Sequence, residues 1–245
     1  AGSAVASALA KKTDVIGFDV NPICRHNAES NGIRWAKDYQ EISNHSDTII
    51  LSLPKPEISI AITKTLAELT RKPNLIIETS TVTPQTAKTC FDICETNEIA
   101  YVDAAIAGGV ASMASGSITF FLGGKNEHKD QARPILNLVA SSIYDLGPVG
   151  AGMGTKVVNN GIMHALMVVL IEAFTMSNKL GVPSQTMIDI LNRDEGILRP
   201  LVHRVQERMQ EGNYEGGMSV TNARKDSVLA LETAQELGVP LFATL

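Results

Sequence analysis

The sequence predicts an α/β protein in which a doubly wound parallel sheet over residues 1–150 precedes an all-helical domain over 151–245. Short β-branched runs alternate with helical patterns through the first part. Several of those runs are continuously apolar, which suits strands covered on both faces. The breaker cluster Gly147-Pro148-Val149-Gly150-Ala151-Gly152 then ends this texture, and no convincing strand follows it.

Taken in order, the chain opens Ala1-Gly2-Ser3 into a helical start, and strands are expected at 15–19, 48–53, 74–78, 99–103, 118–122 and 142–144. Helices are expected between them at 22–30, 57–69, 84–97 and 126–139. Thr83-Pro84 sets a proline at the first helical position behind a capping residue. Residues 154–180 are apolar almost all round, as in a long helix buried inside an assembly. Further helices are expected at 184–192, 198–210 and 219–237. The second domain is short for independent stability, so a homodimer or homotetramer is expected.

Composition narrows the function. Lys+Arg 21 against Asp+Glu 26 gives a net charge of -5 without a basic cluster, which argues against nucleic acid as a partner. The longest apolar stretch, near 165–171, stops at Glu172, too short to span a bilayer, so no membrane partner is expected. Cys24, Cys90 and Cys94 form no disulfide framework and fit a reducing compartment. Cys90 and Cys94 lie four apart with no His or Cys pair following at zinc spacing, so no metal is expected.

Candidate chemistry clusters at strand ends. Asp19, ending an early strand after a Gly-containing helix start, stands where a dinucleotide-binding fold bonds the adenosine ribose hydroxyls. Gly2 would be the last glycine of a G-x-G-x-x-G loop, which leads to the expectation that this sequence lacks the first strand and two glycines. The rival reading makes Asp19 a helix-capping residue. Leu53-Pro54 and Thr79-Ser80-Thr81 end two further strands, where loop N–H groups and hydroxyls face a ligand crevice, or else serve as capping turns. After the next strand, Gly108 and Gly109 could hold a carboxylate through their N–H groups, or supply a tight turn needing positive φ.

Gly150 to Asn160 is the strongest local signal. Lys156 and Asn160 are four apart and share one face of an otherwise apolar helix. Desolvation lowers a lysine pKa toward the range a general acid/base needs, and Asn160 could orient the same oxygen. A snorkelling lysine is the alternative. His164 continues that face and could belong to the site, but reads better as a satisfied interior histidine, while the charged run around Lys225-Asp226 reads as a solvated face.

Together, in this order, these residues resemble the β-hydroxyacid dehydrogenase family, which includes 3-hydroxyisobutyrate and L-threonate dehydrogenases. The matching segments are Gly2, Phe18 to Pro22, Leu53-Pro54, Glu78 to Pro84, Asp103 to Gly109, Gly116 to Thr119, Gly123-Gly124, Gly150 to Asn160 and Lys225-Asp226. The resemblance implies an N-terminal Rossmann domain and an NAD-dependent oxidoreductase acting on a small 3-hydroxy acid, a small carboxylate substrate. It implies Lys156 as the acid/base, Asn160 positioning the substrate, and Gly108 and Gly109 binding its carboxylate. Leu53, Pro54 and Thr81 would line the cofactor, Asp19 would hold its ribose, and Lys225 would close over the nicotinamide end. NAD is expected over NADP, because Asp19 repels a 2′-phosphate and Val20 replaces the arginine of NADP-using members. Three departures stand out: Ala107 replaces a substrate-contacting serine, residues 193–198 lack a small Ser/Gly-rich loop, and both chain ends look clipped. The expected location is the cytoplasm, with the mitochondrial matrix open because the N-terminus reads as incomplete. Two rivals share the fold: an imine reductase, whose members typically lack the lysine, and a non-catalytic cofactor-binding scaffold.

Overall fold

The computed structural model describes residues 1–215 and 218–243. Packing divides the chain into two units, Ala1–Asn160 and Gly161–Leu245.

The first unit follows an α/β order: α1 (Gly2–Ala10), β1 (Ile16–Gly17), α2 (Ile23–Ser30), β2 (Arg34–Trp35), α3 (Tyr39–His45), β3 (Thr48–Leu51), α4 (Pro56–Ala67), β4 (Leu75–Glu78), α5 (Pro84–Thr96), β5 (Ala100–Ala107), α6 (Val110–Ala114), β6 (Ile118–Gly124), α7 (Asn126–Leu136) and β7 (Ala140–Asp145). Strands β3 to β7 form a five-stranded sheet in sequence order, and β1 pairs with β2 separately. The β3–β4, β4–β5 and β6–β7 pairs are parallel. β5 and β6 run antiparallel, which corrects the expectation of an all-parallel sheet. The cause is the connection between them: α6 has five residues, too short a crossover to return a strand in the same direction.

β4 and β5 are the most deeply covered strands: Ile76, Ile77, Tyr101, Val102, Ala104 and Ala105 are each fully buried. One face of the sheet packs Val5, Leu9, Ile77, Val102, Phe120 and Leu136 into a core with α1 and α7. The other packs Leu66, Ile76, Cys90, Cys94 and Tyr101 with α4 and α5. Helices on both faces explain the apolar runs at 49–51 and 75–77. α5 starts as its sequence requires, with the Thr83 side chain accepting from the Thr86 N–H and Pro84 in the first turn. Pro134 sits inside α7, which ends two residues later at Leu136, short of the expected 139.

The second unit takes most of α8 (Ala151–Lys179), with α9 (Ser184–Asn192) and α10 (Val220–Leu237). The single helix expected over 198–210 is instead a π-helical segment, Pro200–Gln206, and a 3-10 turn, Met209–Glu211. Pro200 stands at the first position of the π-helical segment, and Gly212, left-handed at φ 72°, closes the 3-10 turn.

α8 overturns a second expectation. At 29 residues it is long and apolar enough, by length and composition, to cross a membrane. Glu172 does not interrupt it: the side chain is 4% exposed and accepts from the backbone N–H groups of Phe242 and Ala243. A carboxylate satisfied this way needs no water. The opening turn of α8 is packed on the sheet of the first unit, with Met153 fully buried, so the helix begins inside a folded α/β core.

Candidate active site

Parallel strands bring several loops to one edge. Leu51 pairs with Glu78, and Glu78 with Asp103, so the segments that follow leave the sheet side by side. β5 continues four residues past Asp103 to Ala107 and delivers Gly108 and Gly109 beyond that edge.

The first turn of α1 reaches the same edge. A Cβ on Gly2 would lie 3.1 Å from the Ser52 Cβ and 3.2 Å from its Oγ, tighter than side chains normally pack. Glycine therefore lets the helix N-terminus approach the end of β3, where exposed N–H groups and the helix dipole favour an anion. α1 carries no acidic residue in its first turn to oppose one. Asp19 lies two residues past β1 and is exposed; its Oδ1 accepts from the Asn21 N–H at 2.8 Å. That bond shapes the turn into α2, while the carboxylate still faces solvent. Gly2 and Asp19 thus fit a dinucleotide, one through a close backbone approach and the other through an accessible acceptor.

The loops after β3 and β4 are tied together. Leu53 is partly buried and donates its N–H to Ser80 Oγ at 2.7 Å, while Pro54 is exposed. Thr79 holds the Leu51 carbonyl through both its N–H (2.9 Å) and its Oγ1 (2.6 Å). Of the three consecutive hydroxyls, those of Thr79 and Ser80 are thus turned into the fold, and Thr81 alone is exposed. Of the two readings of this run, Thr79 and Ser80 follow the structural one, and Thr81 is the residue left facing solvent.

Gly108 adopts φ +124°, a backbone that side chains rarely take, so the tight-turn explanation accounts for it. Gly109 differs. It has no positive φ, and no described neighbour lies within 4 Å of where its Cβ would sit. Neither backbone nor packing demands glycine there, and the space beside its Cα is open. Ala107 is partly buried at the end of β5.

Lys156 and Asn160 lie in the first unit, on α8 after its anchored turn. The anchor is Asp103, which sequence reasoning gave no role. It is fully buried, and its two oxygens accept from the N–H groups of Gly150 and Met153, both at 2.9 Å. A carboxylate on the unpaired N–H groups of a helix start both satisfies them and opposes the dipole. Burial pushes the Asp103 carboxyl above its ordinary value, and these N–H bonds pull it back. Space for the contact comes from glycine: a Cβ on Gly123 would lie 2.7 Å from Asp103 Oδ1, and one on Gly152 would overlap the Phe121 carbonyl oxygen. Met153 packs among Val82, Ala87 and Ala105, while Gly150 and Gly154 lie against Pro84 at the start of α5.

The face that Gly152 presses onto β5 and β6 continues one turn on at Lys156 and two turns on at Asn160. Both are partly buried, and burial alone lowers the Lys156 pKa from its ordinary value. His164 is exposed, not interior as expected. Lys225 lies on α10 in the second unit, 62% exposed and paired with Asp226 at 2.9 Å. Among the described residues, no three His, Cys, Asp or Glu side chains converge as a metal site would require.

Comparison with known proteins identifies the family. Residues 2–150 match the family described as the NAD binding domain of 6-phosphogluconate dehydrogenase. Residues 150–245 match the NAD-binding family of NADP-dependent 3-hydroxyisobutyrate dehydrogenase. The chain is 27% identical to 2-(hydroxymethyl)glutarate dehydrogenase of Eubacterium barkeri, covering 96% of this chain and 79% of that protein. It is 27% identical to the mitochondrial 3-hydroxyisobutyrate dehydrogenase of Rattus norvegicus, over 93% of this chain and 71% of the other. A solved structure of the Mycobacterium tuberculosis 3-hydroxyisobutyrate dehydrogenase with L-serine superposes with a TM-score of 0.73 at 26% identity, over 99% of this chain and 86% of that one. An imine reductase from Pseudomonas sp. shares the fold, with a TM-score of 0.85 at 17% identity over 99% and 85% of the two chains. With both halves matched in order, the chain belongs to the β-hydroxyacid dehydrogenase family of NAD(P)-binding proteins.

Proposed function

We propose that this protein interconverts a small 3-hydroxy acid and its oxo or semialdehyde product, with NAD as the preferred cofactor and Lys156 as the general acid/base. The coarser assignment, an NAD(P)-dependent dehydrogenase of hydroxy acids, follows from family membership and from the activities its relatives are named for. The observation that carries the finer reading is Lys156: a lysine desolvated on a helix whose start is locked to the sheet by Asp103.

A bound nicotinamide would supply the hydride acceptor or donor for the substrate carbon. The neutral Lys156 amine takes the hydroxyl proton during oxidation and, as ammonium, returns it during reduction. Its positive charge beside a developing alkoxide stabilises that charge in a partly water-excluded place. Asn160, one turn on, is assigned to the same oxygen. The N–H groups of Gly109 and Gly108 are assigned to the substrate carboxylate, and Ala107 removes one hydroxyl from that contact. Gly2, Leu53, Pro54 and Thr81 are assigned to the cofactor, and Lys225 to its nicotinamide end. Asp19, an exposed carboxylate, supports NAD over NADP because a 2′-phosphate beside it would be repelled.

A homodimer or homotetramer in the cytoplasm completes the reading. Ile162, Met167 and Ile171 on α8 are more than half exposed, and a second copy would remove them from water. A monomer in light scattering at micromolar concentration would sink that part.

Reduction of NAD by the purified protein should be followed with 3-hydroxyisobutyrate, L-threonate, D-glycerate, L-serine and 2-(hydroxymethyl)glutarate, with a cyclic imine and NADPH as the contrasting pair. One 3-hydroxy acid should turn over, and Lys156→Ala should lower kcat roughly 10²- to 10⁴-fold while NADH affinity stays near the parent's. Imine reduction without oxidation of any acid would favour an imine reductase. NADH binding with no turnover at all would favour a scaffold.

A further inference from the structure

We propose that Ser80 is a positioning residue that sets cofactor affinity by clamping the loop after β3 to the loop after β4; this rests on the dinucleotide reading of those loops. The sheet ladder between the two strands ends at Leu51 and Glu78, and Thr79 extends it by one more bond to the Leu51 carbonyl. The Ser80 hydroxyl reaches further, to the N–H of Leu53, two residues past the last paired position. That bond holds loop to loop, because the strands are already joined without it. Each of its two ends adjoins an exposed residue: Pro54 after Leu53 on one side, Thr81 after Ser80 on the other.

Ser80 is itself held from below. Its N–H donates to Glu78 Oε1 at 2.9 Å, and both residues are buried, Glu78 completely. The Glu78 carboxyl also interacts with the hydroxyls of Ser80 and Ser59, which offset part of the cost of burying it. Its Oε1 fixes the backbone of Ser80, and hence the direction of its hydroxyl. Glu78 thus acts on the cofactor loops through Ser80.

The test uses the full chain with Ser80→Ala, Ser80→Thr and Glu78→Gln. NADH binding is read by fluorescence titration, and backbone hydrogen exchange is read without cofactor. Ser80→Ala should weaken NADH binding roughly three- to tenfold, the weight of one hydrogen bond. It should also speed exchange at residues 52–54, and raise KM for NAD with kcat within about twofold of the parent's. Ser80→Thr, which keeps the hydroxyl, should restore both affinity and protection, and Glu78→Gln, which keeps an acceptor for the Ser80 N–H, should stay near the parent. Faster exchange with unchanged affinity overturns the proposal, as does unchanged exchange. If Ser80→Ala does not fold, Ser80→Thr decides: parent-like affinity supports the clamp and weakened affinity overturns it. A parent chain that binds neither NADH nor NADPH removes the dinucleotide reading itself, whereas normal parent binding with an indifferent Ser80→Ala removes the clamp alone.

Discussion

Replacing Asp103 with asparagine tests whether one buried carboxylate holds the start of α8 and, through it, Lys156. The parent side chain accepts from two buried N–H groups, those of Gly150 and Met153, with one oxygen each. Asparagine keeps the shape but has one acceptor oxygen, so one N–H is left facing an NH₂ group. An unsatisfied buried donor costs about 1–3 kcal/mol. Part of that returns, because burial already disfavours the Asp103 charge. A net loss of about 2 kcal/mol is expected, against a total stability of roughly 5–15 kcal/mol. For a chain of this length that lowers Tm by about 4–8 °C. Thermal and urea unfolding followed by circular dichroism give the stability. Steady-state kinetics should show kcat falling more than NADH affinity, since the loosened turn carries Lys156 and the cofactor loops lie on other strands. Parent-like unfolding together with parent-like kcat would refute the claim that Asp103 positions the helix.

Gly152→Ala should destabilise by about 1–3 kcal/mol, because the atoms a Cβ would meet are the Phe121 and Asp103 carbonyl oxygens and cannot swing aside; a soluble variant unfolding with the parent would show that the turn has slack. Lys156, lowered from 10.5 by burial, must be neutral to accept a proton, so the oxidation rate should rise with pH along a limb centred below 10.5 and the reduction rate should fall along it. A limb at or above 10.5 would assign it to another group. Glu78 is raised above 4.5, chiefly by burial, so the folded state holds its proton longer than the unfolded chain. Its contribution is fully present below about 4.5 and is lost as pH rises through the raised folded value. Glu78→Gln should lack this loss and gain stability relative to the parent as pH rises from 4.5, and parallel stability curves for the two would count against it.

Local signals were legible in the sequence, and pairings were not. The runs at 48–51 and 75–78 read as strands because helices on both faces need unbroken apolar sequence, and Thr83-Pro84 marked the start of α5 to the residue. α3 went unread although its signal was present. Asp38 accepts from the Glu41 N–H while Glu41 accepts from the Lys37 N–H, a near capping box in a polar stretch with little apolar period. β2, two residues long and exposed at Arg34, carries no periodicity to find. The antiparallel turn of β6 depends on the length of a connection, which a list of strands does not contain.

The candidate site divides the same way. Asp19, Lys156 and Gly2 drew notice as candidates because their residue types are costly or unusual at their local positions: an acid at a strand end, a lysine in an apolar helix, a glycine at a helix start. Asp103, Glu78 and Ser80 were passed over because each looks ordinary until its partner is known. The N–H groups that Asp103 holds are 47 and 50 residues away in the chain, and the N–H that Ser80 holds is 27 away. An aspartate four residues from a strand end matches a solvent-facing position as well as an interior one. What separates the two is a pair of glycines, Gly123 and Gly152, whose missing side chains make room for the carboxylate and the helix start. Gly152 belongs to the glycine run that first drew notice as a chain breaker. Its steric role is to let the first turn of α8 press onto β5 and β6, and that contact directs the face on which Lys156 comes one turn later. The candidate lysine was therefore legible from its own neighbourhood, whereas the anchoring of the turn before it depends also on Gly123 and Asp103, distant in sequence.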